Sequence, residues 1–345
     1  MTRADRIGDF VLSTPVFEAL RGHFPKAWIA GLTSIENGEL AIGNPFLDET
    51  LLYDKKGREA GFWGNLRFAR KLAKKNFDIV IHLHATNRMH WVSWLAKIPV
   101  RIGWTRRAGW ALTHPYADVK VEGAKHEAEY NFDLLKELQI VAPERLRPVL
   151  TTQVKSRASL DELVARLGIT TTKPWVALSP GASCPSKRWP PERFGALADE
   201  LAERHDIELI LVGSAVDRHL AEKVQGAART SLFDLTGRLS LGMLAALFER
   251  TRLLISNDSG PVHIADAVGT CVISIFGRKQ PGLSPTRWRP LNPRSTFVWK
   301  DVGCVECLAH RCEIGFLCLD AIAVHHVMDQ VARYRHLLEP AEVAS

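Results

Sequence analysis

Short apolar runs alternate with amphipathic stretches along most of this chain. The apolar runs predict strands at Ala27–Leu32, Phe77–Leu83, Trp175–Ser179, Ile207–Val212, Leu253–Ser256 and Cys271–Phe276. Between several of them apolar residues recur at helical spacing, which predicts helices over Pro15–Phe24, Pro191–Arg204 and Leu241–Arg250. Strands that alternate with helices in this way predict parallel sheets covered by helices, and therefore an α/β fold.

A charged, poorly apolar segment from about Pro143 to Lys173 separates two such series of elements. We therefore expect two domains, over residues 1–150 and 173–320, joined by a linker over 151–172 that contains a short helix at Leu160–Leu167. The final helix, Ala321–Leu338, is expected to pack with the rest of residues 321–345 on the first domain. Because the chain opens directly with loop residues, the first strand of the first sheet is expected to be missing or truncated.

Three turns carry the residues best suited to chemistry. The sequence Asp5-Arg6-Ile7-Gly8-Asp9 precedes the first helix, Pro180-Gly181-Ala182-Ser183 follows a buried strand, and Asn257-Asp258-Ser259-Gly260 joins another strand to a helix. Loops at the carboxyl ends of parallel strands are where open α/β sheets bind ligands, and helix N-termini attract phosphates. Lys187, close behind the second turn, adds a mobile positive charge. These turns predict a site for a diphosphate.

The charge of the chain also points to an anionic partner. Its formal net charge is +7 and its pI about 9.1, with a local excess of Lys and Arg over residues 54–107, where tryptophan and phenylalanine are interleaved. This mixture fits single-stranded nucleic acid, an anionic membrane surface or a solvated helix face. No apolar run reaches the roughly 18 residues of a membrane span, and the chain opens without an apolar signal core, so we expect a cytoplasmic protein.

Four of the six cysteines form a cluster near the end of the chain, with the spacing Cys304-x2-Cys307-x4-Cys312-x5-Cys318. Four thiolates this close in sequence can hold one zinc ion, although the spacing is not that of a standard zinc knuckle. In a reducing compartment we favour reduced thiols or a structural zinc over disulfides.

Taken together, these residues resemble the ADP-heptose:lipopolysaccharide heptosyltransferases of glycosyltransferase family 9. The matching segments are Asp5-Arg6-Ile7-Gly8-Asp9 with Ser13-Thr14-Pro15, Arg101-Ile102-Gly103, Pro180-Gly181-Ala182-Ser183 with Lys187-Arg188-Trp189-Pro190, and Ser256-Asn257-Asp258-Ser259-Gly260-Pro261 with His263. The resemblance implies a GT-B fold, with two Rossmann-like domains facing across a cleft.

The resemblance also implies a reaction. Heptose would be transferred with inversion, and without a required cofactor or metal, from ADP-L-glycero-D-manno-heptose to an anionic glycolipid, the lipid A–Kdo inner core of lipopolysaccharide. The enzyme would contact the inner face of the cytoplasmic membrane peripherally and would have no nucleic-acid partner. The alternatives are a transferase for another nucleoside diphosphate sugar and a non-catalytic protein that binds polyanions. A nicotinamide oxidoreductase is disfavoured because no G-x-G-x-x-G motif follows an early strand.

Individual roles follow from the same resemblance. Asp9 would be the general base, its alternative being a hydrogen bond within its own turn. The expected donor-binding residues are Ser183, Lys187, Asp217, Leu239, Asp258, Ser259, Gly260 and His263. Within this set Lys187 would contact the diphosphate, Asp217 the ribose and the Leu239 backbone the adenine. Asp258 would organise its turn or bind sugar hydroxyls, and His263 would reach a phosphate or hydroxyl or simply pack. Arg106 and Arg107 would bind the acceptor.

Overall fold

The structure, a computed structural model, describes residues 1–304, 306–307 and 309–339. The chain divides into two compact units, Met1–Thr151 and Thr152–Ser345. Each unit is built around one six-stranded sheet in which all neighbouring strands run parallel. The prediction of an α/β fold with parallel sheets is confirmed.

In the first unit the strands lie in the order β3-β2-β1-β4-β5-β6. They are β1 (Thr2–Arg3), β2 (Ala30–Ser34), β3 (Glu49–Tyr53), β4 (Ile79–His82), β5 (Val100–Trp104) and β6 (His114–Tyr116). The helices are α1 (Ile7–Val11), α2 (Thr14–His23), α3 (Gly38–Ala41), α4 (Gly61–Ala73), α5 (Asn87–Leu95) and α6 (Glu127–Asp133). Phe68 of α4 and Val92 of α5 pack against Leu32 and Val80 of the sheet, which builds the core on this face.

In the second unit the order is β12-β11-β10-β7-β8-β9. The strands are β7 (Trp175–Ser179), β8 (Glu208–Leu211), β9 (Phe233–Asp234), β10 (Thr251–Asn257), β11 (Cys271–Phe276) and β12 (Thr296–Trp299). The helices are α7 (Val154–Leu167), α8 (Pro191–Arg204), α9 (Arg218–Ala227), α10 (Leu241–Arg250), α11 (Gly260–Ala267), α12 (Pro285–Trp288), α13 (Leu317–Asp320), α14 (Val324–Val331) and α15 (Arg335–Leu338).

Both sheets therefore have the strand order of a Rossmann fold, with the first strand of each unit in the middle. The order reverses between β1 and β4 in one sheet and between β7 and β10 in the other. Loops that leave such a pair of strands turn away from each other and open a crevice at the carboxyl edge of the sheet, where ligands bind.

The ends of the two units differ from the sequence-based expectation. The first strand is present, although it is short: Thr2 pairs with Leu32 on one side and with His82 on the other. Helix α7 begins earlier than the short linker helix predicted and packs against α10 within the second unit.

The last helical segment was expected to pack on the first domain, and in its described part this is wrong. Val327, Val331 and Leu338 belong to the core of the second unit, because the apolar side of α14 faces that sheet. The indole of Trp189 in the same unit donates to the Ile322 carbonyl at 2.7 Å. Within the described ranges, no helix combines the length and apolar character needed to cross a bilayer.

Candidate active site

A buried cluster of one carboxylate and two cations lies at the reversal point of the second sheet. Asp258 directly follows β10, Lys187 lies in the loop between β7 and α8, and Arg278 follows β11. The Lys187 Nζ lies 2.9 Å from the Asp258 Oδ2, and the Arg278 Nη2 lies 3.0 Å from the same oxygen. Lys187 also donates to the Asp258 carbonyl at 2.9 Å. The cluster carries one positive charge in excess.

The ionisation of Asp258 follows from these contacts. Burial alone would raise the pKa of this carboxyl, but Lys187 and Arg278 outweigh burial and hold the pKa below its usual value. His263, buried on α11, acts in the same direction, and its ring lies 6.4 Å from that of Trp288. Helix α11 begins at Gly260, directly after the cluster, so its first backbone N–H groups lie at the same edge of the sheet.

The Asn257 side chain fixes how the loops meet. This buried amide accepts a hydrogen bond from the Trp189 backbone N–H at 3.0 Å and donates to the Pro180 carbonyl at 2.7 Å. Arg188 turns back onto its own loop, because its guanidinium donates twice to the Ala182 carbonyl. Ser183 is exposed on this loop, and its Oγ lies 4.0 Å from the Sγ of Cys184. The structure thus brings Lys187 to Asp258, whereas Ser183 stays at the surface.

The turn after β8 meets the turn after β7. Asp217 accepts hydrogen bonds from the Ser214 N–H at 3.0 Å and from its hydroxyl at 2.5 Å. A Cβ at Gly181 would lie 2.6 Å from the Asp217 Cγ, so any larger residue here would have to push the Asp217 carboxylate away from the β7 loop. Gly237, with a φ of +73°, lies next to Ala215 and precedes the half-buried Leu239. Asp217 and Leu239 therefore lie on neighbouring turns.

In the first unit, Asp9 belongs to a network built around a buried arginine. Arg3 is the last residue of β1, and its guanidinium contacts the carboxylates of Asp5, Asp9 and Glu127. The Lys120 Nζ lies 2.7 Å from the Glu127 Oε1, and both side chains are buried or nearly so. With two cations against three carboxylates, the network carries one negative charge in excess when all are ionised.

Burial raises the pKa of Asp9, and the neighbouring carboxylates of Asp5 and Glu127 add to this, against the opposing effect of Arg3. The ring of His84 lies 3.1 Å from Asp5, and burial together with Arg3 lowers its pKa to about 4. His84 is therefore neutral near pH 7. Asp9 combines partial exposure with a strengthened affinity for a proton, as a general base requires.

A cavity of about 350 Å³ opens beside this network and is lined by three cationic side chains, Lys55, Arg88 and Arg106. Arg106 also lies 3.8 Å from Asp118, and more than half of its side chain is exposed. Arg107, the other predicted acceptor residue, is exposed and does not line this cavity. The first unit thus offers an anion-attracting cavity at the sheet edge that carries Asp9.

Comparison with known proteins identifies the family. The sequence profile of glycosyltransferase family 9 (heptosyltransferase) matches residues 65–317, well over half of the chain. The chain belongs to glycosyltransferase family 9. The lipopolysaccharide heptosyltransferase 2 of Escherichia coli K12 is 22% identical over 300 residues, which cover 85% of each chain.

Solved structures of family 9 proteins share the fold. A family 9 glycosyltransferase from Veillonella parvula aligns with a TM-score of 0.84 and 25% identity, over 98% of this chain and 96% of its own. The ADP-heptose lipopolysaccharide heptosyltransferase II of E. coli aligns with a TM-score of 0.78 and 20% identity, over 97% and 98%. The expectation of a GT-B fold with two Rossmann-like units is confirmed, and this family 9 protein is a transferase.

The sequence alone did not single out several residues that the structure places at these sites. Arg278 lies two residues past β11, and its position directly after a buried strand is the signal that could have found it. No comparable sequence signal marks Arg3, Lys120 or Glu127. These residues come from distant parts of the sequence and meet only in the folded chain.

The cysteine loop of this family 9 chain gathers around one cavity of about 190 Å³, which Cys304, Cys307, Cys312 and Cys318 line together with Arg278. Burial and the neighbouring cysteines raise the pKa of the Cys318 thiol. Among the residues that the structure describes, no three His, Cys, Asp or Glu side chains are arranged to hold a metal ion. The structural zinc therefore gains no support here and stays a prediction, which metal analysis of the purified protein would test.

Proposed function

We propose that this enzyme transfers a heptose from ADP-L-glycero-D-manno-heptose to the inner core of lipopolysaccharide, on an acceptor of the lipid A–Kdo type. The observation that carries the proposal is the Lys187–Asp258–Arg278 cluster at the reversal point of the second sheet, because its excess positive charge suits a nucleoside diphosphate. The heptose and the lipopolysaccharide acceptor come from the family and from the named relatives.

In this scheme Asp9 removes the proton from the acceptor hydroxyl. The hydroxyl oxygen attacks the anomeric carbon of the heptose from the side opposite the diphosphate, the bond from that carbon to the phosphate oxygen breaks, and ADP leaves with the electron pair. One displacement of this kind inverts the anomeric configuration. The raised pKa of Asp9 makes its carboxylate a stronger base than an ordinary aspartate.

Departure of ADP places negative charge on the diphosphate, and the scheme assigns its stabilisation to Lys187 and Arg278. These side chains, with the backbone N–H groups at the start of α11, supply the positive potential, so no divalent ion takes part in the proposed steps. Ser183, Ser259, Gly260 and His263 are proposed to contact the donor around its phosphates.

The remaining roles concern the ends of the two substrates. Asp217 is proposed to hold the ribose hydroxyls and the Leu239 backbone the adenine, because the two lie on neighbouring turns beside the β7 loop. Arg106, which lines the cationic cavity of the first unit, and Arg107 are proposed to bind the anionic groups of the acceptor. Since that acceptor is a membrane glycolipid, the proposed reaction takes place at the cytoplasmic face of the inner membrane.

The test is incubation with ADP-heptose and a defined Kdo–lipid A acceptor, with product mass and released ADP both measured. We expect Asp9→Asn to lower turnover by about 10²- to 10⁴-fold while ADP affinity is kept. Asp78→Asn, which changes an exposed carboxylate of the same unit, is the matched control and should be fully active. Near-normal turnover in Asp9→Asn would contradict the mechanism. Turnover with another sugar nucleotide but not with ADP-heptose would contradict the donor.

A further inference from the structure

Five aromatic side chains of the first unit form an exposed surface that the reaction does not use. Phe62 and Trp63 of α4 are 62% and 70% exposed, Trp94 of α5 is 46% exposed, and Trp110 is 66% exposed. Trp91 of α5 is half-buried between them. Side chains this large are normally covered, and a group of them in one place marks a binding surface. We call this group the aromatic surface.

The aromatic surface consists of two groups of contacting rings on neighbouring helices. The ring of Phe62 lies 5.3 Å from that of Trp63 and 6.1 Å from that of Trp91, and the ring of Trp94 lies 5.4 Å from that of Trp110. Trp91 and Trp94 are three residues apart on α5, so they share one side of that helix. Helix α4 packs against α5, which holds both groups of rings side by side.

This surface begins at the carboxyl edge of the first sheet and extends towards the opposite edge. Phe62 and Trp63 are in the first turn of α4, which follows β3, whereas Trp94 is near the end of α5, which leads back to the start of β5. Trp110 lies beside Trp94, and the next residue, Ala111, accepts a hydrogen bond from Arg101 near the start of β5. Asp9 follows β1 and so lies at the carboxyl edge. The Phe62 and Trp63 end of the aromatic surface therefore lies at the same edge of the sheet as Asp9.

The charged side chains on the two helices of the aromatic surface all have one sign. Helices α4 and α5 contain no Asp or Glu. Arg67 and Arg70 follow Trp63 at positions i+4 and i+7 and so extend the same side of α4, and Arg88 precedes Trp91 by one turn on α5. Each of these arginine residues is exposed. The surface therefore combines aromatic rings with a positive field and repels other cationic surfaces.

We infer that the aromatic surface docks this enzyme onto an anionic lipid bilayer. The inference deepens the proposed function, on which it rests for the membrane location of the acceptor. Indole rings favour the boundary between headgroups and acyl chains, and arginine side chains beside them attract anionic headgroups. A second copy of the chain fits poorly, because a symmetric contact would bring the arginine residues of the two copies together. Nucleic acid is disfavoured because the rings pack against one another instead of standing apart to stack with bases.

The test uses flotation of the purified full-length protein with two kinds of vesicle, one of phosphatidylcholine alone and one with added phosphatidylglycerol. We expect the anionic vesicles to bind the wild-type protein at least about fivefold better, and added salt to weaken binding. The double variant Trp63→Ser/Trp110→Ser should bind at least about tenfold more weakly. The matched control is Trp28→Ser, which removes a tryptophan that is 65% exposed in the same unit but lies just before β2, outside the aromatic surface.

Four results would overturn the inference. The first is equal vesicle binding by the double variant and the wild type, and the second is a loss of binding in Trp28→Ser as large as in the double variant. The third is binding of an oligonucleotide but not of vesicles. The fourth is a dimer that the double variant loses, which would assign the surface to a second copy instead. The vesicles contain neither donor nor acceptor, so this outcome does not depend on turnover. Transfer to a delipidated, soluble acceptor should be unchanged in the double variant, which also checks that it is folded.

Discussion

Replacing Asp258 by asparagine removes the carboxylate that holds two buried cations together. Lys187 and Arg278 contact the same carboxylate oxygen, so in the variant two positive charges are left close together with little access to water. At a separation of about 5 Å and an effective dielectric constant of about 20, two unit charges repel by about 3 kcal/mol. Breaking a buried ion pair by removing one partner typically costs about 3–5 kcal/mol. We therefore expect the free energy of unfolding of the second unit to fall by about that amount.

Thermal and urea unfolding, followed by circular dichroism, would measure this loss. For a unit of this size about 1 kcal/mol corresponds to roughly 2–4 °C, so the melting temperature should fall by about 10 °C. The pKa of Asp258 is lowered, so its contribution is present above the ordinary aspartate pKa and is lost only as the pH falls through the lowered value. The difference between wild type and variant should therefore stay constant from about pH 5 to 8.

ADP provides the second half of this experiment. If the diphosphate binds between Lys187 and Arg278, it replaces the missing negative charge, so ADP should raise the melting temperature of Asp258→Asn more than that of the wild type. Asp206→Asn is the matched control, because Asp206 pairs with Lys173 at 2.6 Å on the surface and its loss should change little. A variant that melts within about 2 °C of the wild type would refute the electrostatic reasoning. Equal stabilisation of both proteins by ADP would refute the placement of the diphosphate.

Three further substitutions test the proposed site. Lys187→Ala should weaken ADP binding about tenfold or more in calorimetry, since it removes a charge-assisted contact, and unchanged affinity would exclude this lysine from the phosphate site. Glu127→Gln removes one of the carboxylates that raise the pKa of Asp9, so the acidic limb of the pH profile of kcat/KM should move to lower pH. A shift of that limb to higher pH would contradict its assignment to Asp9. Gly181→Ala should displace the Asp217 carboxylate and weaken donor binding, with the acceptor KM little changed; a crystal structure would show whether Asp217 had moved.

The helices and strands that could be predicted from the sequence are those in which buried positions form a continuous apolar pattern. The bounds of β7, β11, α8 and α10 match the predictions, because their apolar runs are long and end at turn residues. The strands β3 and β5 were missed, since β3 begins with the polar residues Glu49 and Thr50 and Arg101 interrupts the apolar pattern of β5. The very short β1 is a strand because the neighbouring strands β2 and β4 supply its hydrogen bonds. The local sequence pattern does not show this.

The site could be predicted only loop by loop. Turn chemistry and the family resemblance singled out Lys187 and Asp258, but the ion pair between them joins residues 71 positions apart and follows from strand order. The partners of Arg3 could not be predicted either. A sequence does not distinguish a buried arginine that contacts three carboxylates from an arginine in solvent. Sequence thus predicted which loops form the candidate site, whereas the partners of each side chain could be known only from the fold.

The contact between Lys187 and Asp258 also bears on how quickly the enzyme could release its product. A free lysine side chain samples many rotamers and loses that freedom when it binds a phosphate. Here the ammonium group is already held in place by a carboxylate and a backbone carbonyl, so little of that entropy remains to be lost when the donor arrives. If the diphosphate binds to Lys187 as proposed, the same carboxylate competes with it for the ammonium group. Asp258 would then limit how tightly spent nucleotide is held, which would favour its dissociation and the next turnover.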